Sequence, residues 1–212
     1  MKDLPMFTTE NGAASLVLQE IPTQGCAYVT LQASQDPEAL LADCIAVCRM
    51  AGAELVYATG HPMLTKFPEH TAVWKMTCAA ASLEETDAAL WPVQEDTALE
   101  FQRIYNEKVR RIPNGAWMHQ ARREEMCRKG TGYFIHRQET LLGIGMVEGS
   151  KILFVASIVP GAGEAVVKAL ARCVTEETIT LEVASANRKA LGLYERLGFV
   201  KTGVLSQWYR VV

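Results

Sequence analysis

ITLEVASANRKALGLYERLGF, running from Ile179 to Phe199, is the segment whose reading decides the fold. Ile179, Leu181 and Val183 alternate with Thr180 and Glu182, the period of a strand with one covered face. Ala184-Ser185-Ala186 is a small-residue turn. Asn187 then opens a helix, and Gly198, a favoured residue just past a helix end, closes it. Ala190, Leu193 and Leu197 recur at helical spacing as an apolar stripe. Asn187 and Tyr194 are two turns apart and share a face.

This layout resembles the C-terminal core of the GNAT superfamily of N-acetyltransferases: strand, Asn-x-x-Ala-x-x-x-Tyr-x-x-x-Gly-Phe, last strand. The matching positions are Asn187, Ala190, Tyr194, Gly198 and Phe199, with Val200 to Val212 as the last strand. The resemblance implies an α/β fold with a mixed, mostly antiparallel central sheet flanked by helices.

Working upstream, Lys151–Val159 (KILFVASIV) is a short apolar run and reads as a central strand. Thr140–Val147 is a second strand, joined to the first through a hairpin at Glu148-Gly149-Ser150, and Gly132–Arg137 is a third. Thr97–Arg111 reads as a helix with Phe101, Ile104 and Tyr105 at helical spacing, capped by Asp96 or Thr97 and ended by Pro113-Asn114-Gly115. Trp117–Arg128 reads as a second helix, and Ala89–Val93 as a short strand. The order matches a GNAT domain from 86 to 212.

Residues 1–85 are α/β as well. Strands are predicted at Ser15–Gln19, Ala27–Gln32, Ala53–Ala58 and Ala72–Ala79. Asp36-Pro37-Glu38 is a strong helix start: a cap, a proline at the first helical position and a carboxylate near the dipole's positive end. EALLADCIAVCRMAGAELVYATG, from Glu38, parallels EAVVKALARCVTEETITLEVASA, from Glu164. Two readings stay open. Any apolar helix–strand unit has this look, or the first half is a truncated, non-catalytic GNAT-like copy in a degenerate tandem. The first copy continues with His61-Pro62-Met63 in place of Asn…Tyr…Gly-Phe.

The resemblance implies transfer of an acyl group from acetyl-CoA, or another acyl-CoA, to a small-molecule or peptide amine, with no metal. Its pyrophosphate loop falls at Val159, Gly161, Ala162, Gly163, Glu164 and Ala165. Backbone amides at a helix start receive an anion there. The family's Gln/Arg-x-x-Gly-x-Gly/Ala places Pro160 where the cation belongs, and Glu164 adds negative charge. The strand near Ser157 and Ile158 implies an oxyanion-binding amide at a β-bulge. Asn187 and Ala190 lie along the pantetheine arm, and Tyr194 is the implied general acid. A phenol of pKa about 10 holds its proton at neutral pH and can pass it to a thiolate. The general base stays open among Glu148, Glu139, His136, Glu182 and a water chain. Tyr105, Trp117, Trp208 and Tyr209 are the aromatic candidates for an acceptor pocket. The shortened, cation-poor loop keeps a second reading in play: a non-catalytic GNAT-like protein binding CoA or a partner.

Composition narrows the class. The chain has 212 residues, 49% hydrophobic and 21% charged, and a net charge of −3, which speaks against a nucleic-acid footprint. The basic concentration at Lys108, Arg110, Arg111, Arg122, Arg123, Arg128 and Lys129 reads as solvated helix faces. MKDLPMFTTENG lacks the apolar core of a secretion signal, and no apolar run is long enough to span a bilayer. Cys26, Cys44, Cys48, Cys78, Cys127 and Cys173 form no Cys-x-x-Cys pair, which argues for buried thiols in the cytoplasm over a zinc site.

Overall fold

The computed structural model describes residues 6–110, 112 and 114–212. Arg111 and Pro113, at the expected end of the helix after Thr97, and the start of the segment read for a signal, residues 1–5, lie outside the described residues.

The elements are β1 (Met6–Thr9), β2 (Gly12–Val17), α1 (Ile21–Gln24), β3 (Cys26–Ser34), α2 (Pro37–Met50), β4 (Leu55–Thr59), β5 (Glu69–Ala79), β6 (Ala89–Pro92), α3 (Ala98–Val109), α4 (Gln120–Lys129), β7 (Gly132–Arg137), β8 (Thr140–Glu148), β9 (Lys151–Ser157), α5 (Gly163–Ala171), β10 (Thr178–Ala184), α6 (Arg188–Arg196) and β11 (Val200–Arg210). The strand β1 and the one-turn α1 carried no readable periodicity. They divide into two compact units. One holds the described residues up to Val73 together with Val204–Val212; the other is Trp74–Gly203. The polar stretch Glu84–Asp87, where a linear boundary falls in the sequence, lies inside the second unit.

In the first unit β1, β2 and β3 form an antiparallel meander, and α2 crosses over to β4, parallel to β3. Asp36 starts α2: its carboxylate accepts from the amides of Glu38 (3.1 Å) and Ala39 (3.0 Å). Leu40, Leu41, Cys44 and Cys48 bury one face of α2 against Ala27, Val29, Leu31, Val56 and Ala58. Burial pushes the Cys44 thiol up to about 12.

The second unit repeats the same connection. β7, β8 and β9 form a meander, with β6 on its edge, and α5 crosses over to β10, parallel to β9. The parallel from Glu38 to Glu164 is therefore a repeat of topology. One face of the sheet is covered by α5 and α6 through Val166, Val167, Leu170, Leu191, Tyr194 and Leu197. The other is covered by α3 and α4 through Phe101, Ile104, Tyr105 and Met126. Two glycines set how closely α5 sits. A Cβ on Gly145 would lie 2.2 Å from Leu170 Cδ1, and one on Gly143 would lie 2.7 Å from Val166 Cγ2. The helix thus packs on bare backbone of β8.

Candidate functional site

The sheet of the second unit opens between β9 and β10. Their ladder has two residue pairs, Thr180↔Lys151 and Leu181↔Ile152, and then ends. At the same point β9 departs from regular pairing on its other side: Met146 faces Phe154 and Val147 faces Ile152, leaving Leu153 without a partner on β8. Beyond Leu153, β9 stays on β8 but presents its other edge free of β10.

That edge carries specific amides. Ile158 and Val159 both donate to the Leu142 carbonyl, at 2.8 and 3.3 Å, so a bulge-type pairing does close β9. It also uses up the Ile158 amide as an oxyanion donor. Successive amides of a strand point in opposite directions. The Ser157 amide therefore faces the open edge, and so does that of Val155.

Val159 to Ala162 is a tight turn. The Ala162 amide donates to the Val159 carbonyl at 3.2 Å, with Pro160 first and Gly161 second in the corner, and Gly161 has φ +82°. Pro then Gly with positive φ is a type II turn, which explains why this connection is short. Ala162 offers no side-chain cap to α5. The amides of Gly163, Glu164 and Ala165 accordingly have no acceptor among the described residues. Gly163 is also the point of approach to α6: a Cβ there would lie 2.9 Å from Leu193 Cδ2.

The turn itself holds no cation, but the fold brings two beside it. A cavity of about 330 Å³ beside the turn is lined by Gly161, Ala162, Glu164 and Ala165 together with Lys168, Arg137, Glu85 and Asp87. Lys168 pairs with Glu164 (2.7 Å) and Glu84 (2.9 Å), and Arg137 pairs with Asp87 (2.7 Å). The Glu164–Lys168 spacing of one helical turn was readable. Arg137 comes from β7 and was not.

On α6, Asn187 accepts the Ala190 amide at 3.2 Å, a helix cap, and Ala190 is partly buried. The far end is a Schellman closure: Phe199 N–H to Tyr194 O at 2.9 Å and Gly198 N–H to Glu195 O at 3.1 Å, with Gly198 at φ +86°. The stripe expected through Ala190 and Leu193 is rotated. Leu191, Tyr194 and Leu197 form the buried face, and Ala190 and Leu193 flank it. Tyr194 is 7% exposed, with its ring 5.8 Å from that of Phe199. Its hydroxyl has no hydrogen-bond partner among the described residues, and burial pushes its pKa up to about 12.

The candidate bases scatter. Glu148 is paired to Lys129 at 2.7 Å, and Glu182, the first β10 residue beyond the ladder, is drawn to Lys151 at the zipped end of β9. His136 lies on β7 with its ring 4.7 Å from Trp91, and burial lowers its pKa. Glu139 is exposed at the β7–β8 turn. None lies on the open edge of β9. The aromatic candidates scatter too. Tyr105 touches Phe154 of β9, ring centroids 4.2 Å apart, and Trp117 lies beside Arg110. Trp208 and Tyr209 belong to the first unit, where Trp208 packs edge-on to Tyr28 at 5.6 Å and Tyr209 packs against the core.

No protein-family model matches this sequence, and no curated protein matches it. Solved structures do. A conserved protein of unknown function from Staphylococcus epidermidis superposes with a TM-score of 0.63 at 12% identity, covering 99% of this chain and 94% of that one. A tandem GNAT protein from the clavulanic acid biosynthesis pathway gives 0.55 at 13% identity, over 94% and 78% of the two chains. A GCN5-related N-acetyltransferase from Sphaerobacter thermophilus gives 0.56 at 13% identity, over 93% and 75%. With its opened β9–β10 pair, crossover helix and Asn187–Tyr194 helix, the chain has the fold of the GNAT N-acetyltransferases.

Proposed function

We propose that this protein is an acyl-CoA-dependent N-acyltransferase, an acetyltransferase acting on a small-molecule or peptide amine. The observation that carries the reading is the opening of β9 from β10 after two residue pairs, directly before an uncapped helix start. Bound there, acyl-CoA supplies an activated acyl carbonyl and a thiolate leaving group. The amides of Gly163, Glu164 and Ala165 hold the pyrophosphate, helped by the helix dipole. The Ser157 amide stabilises charge on the carbonyl oxygen. Tyr194, kept protonated by its surroundings, gives its proton to the sulfur. The acceptor amine loses its proton to water, since β9 carries no carboxylate along its open edge and Glu182 of β10 is held by Lys151. Action in the cytoplasm suits the six free thiols.

One observation favours a second reading, a non-catalytic protein of the same fold that binds CoA or a partner. Glu84, Glu85, Asp87 and Glu164 crowd the two cations at the start of α5. Calorimetry with acetyl-CoA, followed by thiol release against an amine panel, separates the two. Binding and turnover are expected. Absence of binding at millimolar acetyl-CoA sinks the enzyme reading, and binding without turnover on any amine favours the second.

A further inference from the structure

Resting on the acyltransferase reading, we infer that the acceptor carries a carboxylate in addition to its amine, and that Arg122, with Arg110 beside it, receives that carboxylate. The α3–α4 region adjoins the open half of β9 through the Tyr105–Phe154 contact, and Ile158 packs in the same cluster. Arg122 lies over the Tyr105 ring, its Cζ 5.2 Å from the centroid. The Arg122 Nη1 group donates to the Ala116 carbonyl at 3.1 Å, and the Tyr105 hydroxyl donates to the same oxygen at 3.1 Å. The guanidinium is thus held in place by a ring and one hydrogen bond. Its other N–H groups have no acceptor among the described residues. Arg110 likewise lies over a ring, its Cζ 5.7 Å from that of Trp117.

Arg103 is paired with Glu100 at 2.7 Å, and Lys129 with Glu125 at 3.2 Å and Glu148 at 2.7 Å. Arg110 and Arg122, like Lys108, Arg123 and Arg128, have no carboxylate within ion-pair distance among the described residues, but Arg110 and Arg122 are the two that lie over aromatic rings. A guanidinium held over an aromatic ring and by a hydrogen bond has less freedom left to lose, and its remaining N–H fork matches a carboxylate in two hydrogen bonds. A carboxylate at Arg122 places the rest of an extended acceptor along Tyr105 and Phe154, toward the Ser157 amide.

The test uses ε-aminocaproic acid and its primary amide, which match in length and amine and differ in the anion. Calorimetry on the full chain reads binding of each, and thiol release with acetyl-CoA reads transfer. The acid is expected to bind about tenfold or more tightly than the amide, and Arg122→Gln is expected to bring the two within about twofold of each other. Equal binding of acid and amide to the unaltered protein overturns the inference, as does a preference that survives both Arg122→Gln and Arg110→Gln. Retention of the near-ultraviolet circular dichroism signal shows that the variants are folded. A carboxylate preference in binding, together with no acetyl-CoA binding, overturns the acyltransferase reading and leaves the anion site standing; transfer without the preference does the reverse.

Discussion

At Tyr194 packing and chemistry meet in one side chain. The phenol sits in the buried face of α6, and desolvation raises its pKa from 10.0 to about 12. Proton transfer from such a phenol to a thiolate solvated by water, with a thiol pKa of about 8.5, would be uphill by roughly 5 kcal/mol. It becomes feasible only when the sulfur is as dry as the phenol, since desolvation raises both acids. Tyr194→Phe is expected to lower thiol release by about a hundredfold or more, with acetyl-CoA affinity changed little; an unchanged rate would remove Tyr194 from the acid role. The same residue ties stability to pH. Because the folded-state pKa is the higher one, the stabilisation is complete below pH 10 and disappears as pH rises from 10 to about 12. The loss is about 3 kcal/mol, and the Cys44 thiol, also raised to about 12, adds a slope of the same sign. Urea midpoints measured across this range should fall less steeply for Tyr194→Phe than for the parent chain.

For the elements, the contrast between α2 and α5 sets the expectations. Both are crossover helices between parallel strands, but Asp36 fills the start of α2 with its own carboxylate, while Ala162 leaves α5 open. Ala162→Asp places a carboxylate where an anion would bind. It should weaken acetyl-CoA binding at least tenfold without lowering the thermal midpoint, a charge effect on the helix dipole. Asp36→Ala should cost about 1 kcal/mol of stability and leave acetyl-CoA affinity unchanged. Titration calorimetry and thermal melts read both. The seating of α5 depends on Gly145, whose place a side chain cannot take without moving Leu170. Gly145→Val should destabilise by about 1–3 kcal/mol, read from urea midpoints, and should weaken acetyl-CoA binding by shifting the helix that carries the turn.

In the whole molecule the two units follow one chain path and end differently. β3 and β4 stay paired over five residues, from Cys26↔Leu55 to Thr30↔Thr59, whereas β9 and β10 separate after two. The strand–helix–strand path is common to both; the opening is confined to Trp74–Gly203. His61 starts a short 3-10 turn, with its Nδ1 accepting from Met63 N, where the second unit continues into α6.

Much of this was legible in the residues. The alternation of Ile179, Leu181 and Val183, the cap at Asn187, the Schellman glycine at Gly198 and the start of α2 at Asp36-Pro37 are local signals. Each rests on dihedral preference, side-chain capping or period, which act within a few residues of themselves. The repeat from Glu38 to Glu164 was legible for the same reason. What the residues could not settle are facts of pairing and approach. The point where β9 leaves β10 coincides with a bulge at Leu153 that no residue type marks. Arg137 reaches the start of α5 from another strand, and Arg122 meets Tyr105 from another helix. The buried face of α6 turned from Ala190 and Leu193 toward Leu191 and Tyr194 because the surface it packs against is assembled from distant strands. Local chemistry determined which elements form and where they stop; long-range packing alone decided which edge stays open and which charges surround it.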